Sequence, residues 1–462
     1  VMLMAIDMTT GSPVKKMLAF SAPLIAGNIL MQLSGFVDGL IVARAAGVAA
    51  FAGVAAAAPV AFLATGFLMG FANGFLIPIA LSVGAGDREG LDRFACAALL
   101  MTASMALLVA VPGALLADRL IALQGTPMDI APRALTYLRI QLLGVPIPLI
   151  FMTLSGIMRA GGDTRTPFQF QALAMALHLG LDILFVVMLR LDVAGAALAS
   201  VLSHGAACAL FFRRVLRAHP GVTRLMRFGV RREMAKKLLS LGVPIALTNF
   251  MASAGATAFQ YAINSQGSLA VAAVATGDRL LSVALMPGLM LGGVAEVFSG
   301  QNCGADRPDR IRAGAVQLIA LLSLTLTPCA LIMVAGRGIL VPFLIGGAPE
   351  GLTDLAGRYM LWCALFSPLQ LTVSILKNVL QGIGKPGRAV VASSYDLFVR
   401  LAAAIFGAAR FGFLAICAVN PLGWALSALA LYVTCRAVLF ETCKRKTPPA
   451  REGAKGVISL RL

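Results

Sequence analysis

Long apolar runs, each broken by a short cluster of Gly, Pro and charge, follow one another from residue 16 to residue 440. A helix that crosses a bilayer needs about 20 mostly apolar residues, and at that length the pattern predicts about twelve spans. The first six lie over 16–43, 50–83, 94–117, 134–158, 167–189 and 194–216. The second six lie over 237–264, 269–301, 312–335, 355–381, 387–409 and 413–440.

The polar breaks alternate in charge. Lys15, Lys16, Arg88, Arg93, Arg159, Arg165, Arg307, Arg310, Arg312, Lys385 and Arg388 fall on the side of the two termini, with the stretch Arg213 to Lys237 and the tail from Arg436. The opposite loops hold little beyond Arg119, Arg133, Arg190, Arg337, Arg358 and Arg410. Basic residues collect in cytoplasmic loops, so both termini are expected in the cytoplasm. Residues 1–14 are short and mixed, and no cleavable signal peptide is expected there.

The two sets of six spans read as a duplication. GVAAFAGV at 47–54 lies opposite GSLAVAAV at 267–274, and Gly84-Ala85 lies opposite Gly304-Ala305, both at an offset of 220. Gly162 in RAGGDTRTP lies opposite Gly384 in QGIGKPGRA at an offset of 222. Pro23 and Pro244 each sit early in the first span of a half. Six spans per half make the repeats parallel, and two such bundles with a cleft between them are a transporter plan. The predicted organisation is a cytoplasmic segment 1–14, a first lobe 15–216, a basic linker 217–236, a second lobe 237–440 and a tail 441–462. The fold class is therefore an all-α polytopic membrane protein of twelve transmembrane helices in two pseudo-symmetric six-helix lobes.

Composition agrees. Of 462 residues 59% are apolar and 13% charged, which excludes both a soluble domain and a disordered chain. The net charge of +18 belongs to the loops rather than to a nucleic-acid surface. The eight Cys include no C-x-x-C pair, so they read as small packing residues. GIGKPG at 382–387 follows no strand and is no nucleotide loop, and GGDTRT lacks a P-loop ending. No cofactor is expected, and no enzyme. A membrane-embedded enzyme would need a nucleophile–base or metal set, and none is visible.

Ionisable groups inside the spans are costly, about 3 kcal/mol each, and are functional candidates by default. Asp38 lies in the first span. His178 and Asp182 lie four residues apart in the fifth and so share one helix face, as a proton relay would require. Ser200 enters the sixth span at a comparable depth, although alone it reads as a packing residue. Glu296 lies in the eighth span, where function and an interface acid answered by a loop Arg weigh evenly. In the second half, Asp278 adjoins Arg279, and Lys377, Asp396 and Arg400 read as a neutralising network. Met31, Met69, Met152, Met286 and Met290, with Gln32 and Glu296, are candidates for the cleft wall, Met being suited to varied ligands. Core or lipid contact is the plainer account of these Met.

These residues complete a pattern that resembles the multidrug and toxic compound extrusion (MATE) family of prokaryotic secondary transporters, in particular its DinF-like branch. The resemblance covers about residues 15–440 and rests on Pro23 followed by FVDGLIVARAAG, on GQNCGAD at 300–306, and on RAGGDTRTP, HLGLDILF, VAGAALAS and LQGIGKP. It implies a V-shaped pair of lobes and antiport of cationic or amphiphilic drugs or toxic metabolites by alternating access. It also implies a multi-pass protein of the bacterial or archaeal inner membrane, active as a monomer. It places the ion-coupling cluster on Asp38, His178, Asp182 and Ser200, with a conformational role for Pro23. The family has Asn where His178 stands and Thr where Ser200 stands. An imidazole in place of a carbonyl oxygen favours H+ over Na+ as the coupling ion. The alternative within the same superfamily is a flippase for lipid-linked precursors.

Overall fold

The computed structural model describes residues 6–123, 128, 130–218, 221–222, 230–345 and 350–444. Much of the linker expected over 217–236, and the tail beyond residue 444, lie outside the described residues.

Among the described residues, twelve helical spans follow the predicted order. In the first half they are α1 (Pro13–Ala45), α2 (Val48–Ala85), α3 (Arg88–Leu115), α4 (Ala131–Gly144 with Pro146–Ala160), α5 (Arg165–Asp182, continued through Ile183–Met188) and α6 (Asp192–Ala218). In the second half they are α7 (Arg232–Asn264), α8 (Ser268–Gly304), α9 (Pro308–Ala335), α10 (Leu352–Leu365 with Ser367–Gly382), α11 (Pro386–Ala402, continued through Phe411) and α12 (Phe413–Lys444). Eleven spans are long and apolar enough to cross a membrane as they stand. The twelfth, α10, is a pair of helices bent by 50°. The bend follows from Pro368, which lacks the amide that would carry the ladder across the Phe366 break. In α4 the break at Val145 precedes Pro146 in the same way.

The duplication is visible in the backbone. Gly47 and Gly267 precede α2 and α8 at φ 92° and 88°, and Gly162 and Gly384 precede α5 and α11 at φ 92° and 77°. These angles favour glycine, so the repeated glycines mark repeated turns. The likeness extends to the helix interiors. A π-helical turn follows Asp182 at Ile183–Met188, and another occupies Ala403–Gly407. Such turns are frequent at functional sites.

Each half has its own apolar core, one around Phe75, Phe151 and Phe211 and one around Phe259, Tyr359 and Ile416. The halves join along α2, α7 and α8, where small residues let backbones approach. A Cβ on Gly70 would lie 2.6 Å from the Cα of Ala246, and Gly74 faces Gly242 in the same seam. Nearer the basic loops, Gly84 rests on the Gln301 carbonyl and Gly304 on that of Leu81. The first turns of α1 pack into the second half, with Met17 and Phe20 against Leu291, Phe298 and Leu318.

The chain before α1 closes this basic end further. Ile6 N donates to Gly162 O at 2.9 Å, and Met8 N donates to Gln301 Oε1 at 3.1 Å. Gln301 Nε2 donates to Ala160 O at 2.7 Å, so one amide side chain ties the strap and both halves together. Arg310 donates to the carbonyls of Met8, Thr10 and Gly11.

Candidate functional site

Two charged sites occupy different depths of the bundle. The first lies in the half nearer the sparsely charged loops and is built from α1 and α5. His178 Nε2 stands 3.5 Å from Asp182 Oδ2 on its own helix and 4.0 Å from Asp38 Oδ1 on α1. The i, i+4 spacing on α5 turns His178 and Asp182 to one face, and α1 packs against that face. His178 is 7% exposed and Asp182 1% exposed, whereas the Asp38 side chain is 20% exposed, so the α5 pair is shielded from bulk water and Asp38 only partly. On the other side of the imidazole, Nδ1 is 3.4 Å from Ser34 Oγ. Tyr137 of α4 stands in the field of both carboxylates.

Among the described residues, Asp38 Oδ1, His178 Nε2 and Asp182 Oδ1 have no hydrogen-bond partner. Among the described residues, neither carboxylate has a Lys or Arg within ion-pair distance. One ligand atom from each of the three side chains lies within 4.8 Å of the others. Two carboxylates and an imidazole with open polar atoms and no fixed cation form a site for a positive charge that comes and goes.

The second site is a cavity of about 590 Å³ between the halves. Its wall includes Pro23, Met31, Met69, Met152 and Met290, with the amides Asn28, Asn73, Asn249 and Asn378. Its charged residues are Arg159 at the end of α4, Glu296 on α8 and Lys377 on α10. Arg159 and Lys377 are the two cations acting on Glu296.

The sequence-predicted residues divide between these sites. Asp38, His178 and Asp182 come together but are not among the cavity's lining residues. Ser200 is not among the residues brought together there; its carbonyl oxygen lies 2.9 Å from His204 Nδ1. Pro23, Met31, Met69, Met152, Met290 and Glu296 line the cavity, whereas Gln32 and Met286 do not. Gln32 follows Met31 by one residue, which turns it about 100° around α1. Met286 is one helical turn from Met290, beyond the end of the lining. Arg159, assigned to a loop by its position, is instead a cavity residue.

Three functional candidates escaped the sequence. Ser34 and Tyr137 are ordinary residues of apolar runs until packing brings them beside the acids. His204 lines the cavity while its ring lies 6.1 Å from that of His178, so it touches both sites. The spacing of His204 from Ser200, one turn later on α6, was the available signal.

In the second half, Asp278 and Asp396 both have partners. Asp278 accepts from Tyr359 Oη at 2.7 Å, and Asn420 Nδ2 donates to the same Oη at 2.8 Å. Arg400 Nε donates to Asp396 Oδ2 at 2.9 Å, the i, i+4 pair expected of those positions. Tyr359 follows Tyr137 by the same 222 residues that separate Gly162 from Gly384. The repeat thus kept the aromatic hydroxyl while the acids beside it diverged.

The model of the MatE family matches residues 23–184 and 244–405, one match in each half. The chain belongs to the MatE family. It is 28% identical over 311 residues to the probable multidrug resistance protein YpnP of Bacillus subtilis, covering 66% of this chain and 69% of that one. It is 27% identical over 304 residues to a protein of Shewanella oneidensis named FAD transporter, covering 64% and 66%. The aligned segments thus span about two thirds of these relatives. A MATE crystal structure in the bent conformation superposes with a TM-score of 0.84 at 21% identity, covering 96% of this chain and 98% of that chain. The outward-facing structure of a multidrug resistance MATE transporter gives 0.83 at 20% identity, covering 95% and 98%. The two-lobed MATE fold is therefore that of this chain, a multi-pass membrane protein of the bacterial MATE type.

Proposed function

We propose that this protein is a secondary active multidrug efflux transporter that exchanges amphiphilic molecules in the central cavity for protons held at Asp38, His178 and Asp182. The observation that carries this reading is the buried cluster of two carboxylates and an imidazole without a Lys or Arg partner among the described residues. Such a group needs a mobile neutralising charge. The proton suits it better than Na+, because a hard cation seeks oxygen ligands and one of the three groups here is an imidazole.

Helix α1 offers the link between coupling and cargo. Pro23 on its inner half lines the cavity and Asp38 on its outer half belongs to the cluster. The two are 15 residues apart, about 22 Å along one helix. Loading of the cluster therefore bears on the element that walls the cavity. The charge of the basic loops supports an orientation with the closed end of the lobes toward the cytoplasm of a bacterial inner membrane. Alternating access then opens the lobes at that end once the cargo has left. A membrane potential of roughly 150 mV supplies about 3.5 kcal/mol per charge moved, enough for a gradient of several hundred-fold. Both lobes lie in one chain, so a monomer suffices.

The names of the relatives support efflux, and the FAD transporter among them shows that cargo varies between similar chains. The test is efflux of ethidium and of carboxyfluorescein from proteoliposomes, energised by a proton gradient or by a sodium gradient. Efflux under the proton gradient, lost in both Asp38→Asn and Asp182→Asn, is expected. Efflux driven by sodium alone, or unchanged in both variants, overturns the coupling site.

A further inference from the structure

The acids that would draw a cation into the transporter do not line its central cavity. The titratable lining residues are Arg159, Glu296, Lys377 and His204. Glu296 faces two cations, Arg159 and Lys377. Asp396 stands behind Lys377, but Arg400 holds it at 2.9 Å. His204 adds no negative charge in either protonation state. The floor of the cavity therefore carries one positive charge in excess, beside the amides of Asn378 and Gln381 and under a largely apolar wall.

We propose that this cavity takes an amphiphile bearing an anionic group, a phosphate or a carboxylate, seated against Lys377 and Arg159. The apolar body lies against the Met-rich wall above, and the amide N–H groups of Asn378 and Gln381 hydrogen-bond the anion. Glu296 sits between the cations, holds them apart when the cavity is empty, and limits the attraction so that the anion can leave. This assignment rests on the cavity being the cargo site and deepens that reading. It does not depend on which ion drives transport.

Two xanthene dyes of similar size and opposite charge test it. The full chain in phosphatidylcholine nanodiscs, without any gradient, is titrated with carboxyfluorescein and with rhodamine 6G, and fluorescence anisotropy reads binding. The anionic dye is expected to bind at least about tenfold tighter, the scale of one discriminating charge contact. Lys377→Gln should weaken it about tenfold, Lys377→Arg should retain it, and Glu296→Gln should tighten it. Tighter binding of rhodamine 6G overturns the proposal and leaves the cavity as cargo site. So does an unchanged affinity in a folded Lys377→Gln. Binding of neither dye removes the cavity itself. If Lys377→Gln does not fold, the comparison of the two dyes on the unaltered protein still decides. Repeating the titration in phosphatidylglycerol nanodiscs separates the sources of the anion. Loss of Lys377-dependent dye binding assigns the site to a lipid headgroup, and its persistence assigns it to a dissolved solute.

Discussion

His178 presents Nε2 to Asp182 Oδ2 at 3.5 Å across one turn of α5, and the same nitrogen lies 4.0 Å from Asp38 Oδ1. One nitrogen thus stands between carboxylates from two helices. Replacing either acid with Asn removes a charge but keeps the shape, so folding and insertion should persist. Proton-driven transport in proteoliposomes should fall to background in both variants.

His178→Asn tests the identity of the ion. It exchanges an imidazole nitrogen for an amide oxygen between two carboxylates, a better donor set for a hard cation. Transport under a proton gradient should weaken several-fold, and a response to a sodium gradient should appear. A variant that keeps full proton coupling and gains no sodium response would remove the imidazole from the coupling step.

Much of this arrangement was legible in the sequence. The Gly, Pro and charged breaks delimit spans because a bilayer requires continuous helix and a water interface requires a stop. The offset of 220 between Gly47 and Gly267 marks a repeat because both need a positive φ. His178 and Asp182 share a face by helical geometry alone. What spacing could not supply was which helix faces which. Whether Asp38 also lines the cavity is not legible in the sequence, because that depends on how α1 leans on α5. Arg159 looked like a loop residue because a helix end and a cavity floor have the same sequence signature. His204 stands one turn after Ser200, but its approach to His178 depends on how α6 packs against α5.

The glycines at the lobe seam should tolerate no side chain. A Cβ on Gly84 would overlap the Gln301 carbonyl, and one on Gly304 would overlap that of Leu81. Overpacking of this kind costs about 1–3 kcal/mol. Gly84→Ala or Gly304→Ala should pry the lobes apart at the basic end without damaging either core. Cysteine labelling from that side should become faster, and the thermal midpoint should fall.

The strap before α1 makes a separate prediction for the same end. Arg310 bonds three strap carbonyls and Asn302 Oδ1, so Arg310→Met should release residues 6–11 and quicken their amide exchange. Each lost bond is worth about 1–2 kcal/mol. The strap also responds to acid through Asp7. Burial raises its carboxyl, but the hydrogen bonds from Thr9 and Thr10 outweigh burial and hold it below its usual 3.8. A lowered folded value means that the turn is fully stabilised above the unfolded value and loses that support as pH falls through the folded one. Exchange of the Thr9 amide should therefore accelerate below about pH 4, and Asp7→Asn should show the fast rate at every pH.

His204 is the remaining test of how the two sites communicate. Its Nδ1 donates to the Ser200 carbonyl at 2.9 Å, which fixes the ring on α6. Its ring stands 6.1 Å from His178 at an interplanar angle of 63°, and it is part of the cavity wall. Cargo in the cavity therefore meets a side chain that the coupling cluster also feels. His204→Phe keeps an aromatic ring but loses both nitrogens, so cargo and cluster should cease to sense one another. Dye affinity without a gradient should change by less than about threefold, since the excess charge rests on Lys377 and Arg159. Gradient-driven efflux should drop about tenfold or more, with proton leak no greater than in the unaltered protein. Equal losses of binding and efflux would make His204 a wall residue. A loss of efflux alone would place it between cargo and proton.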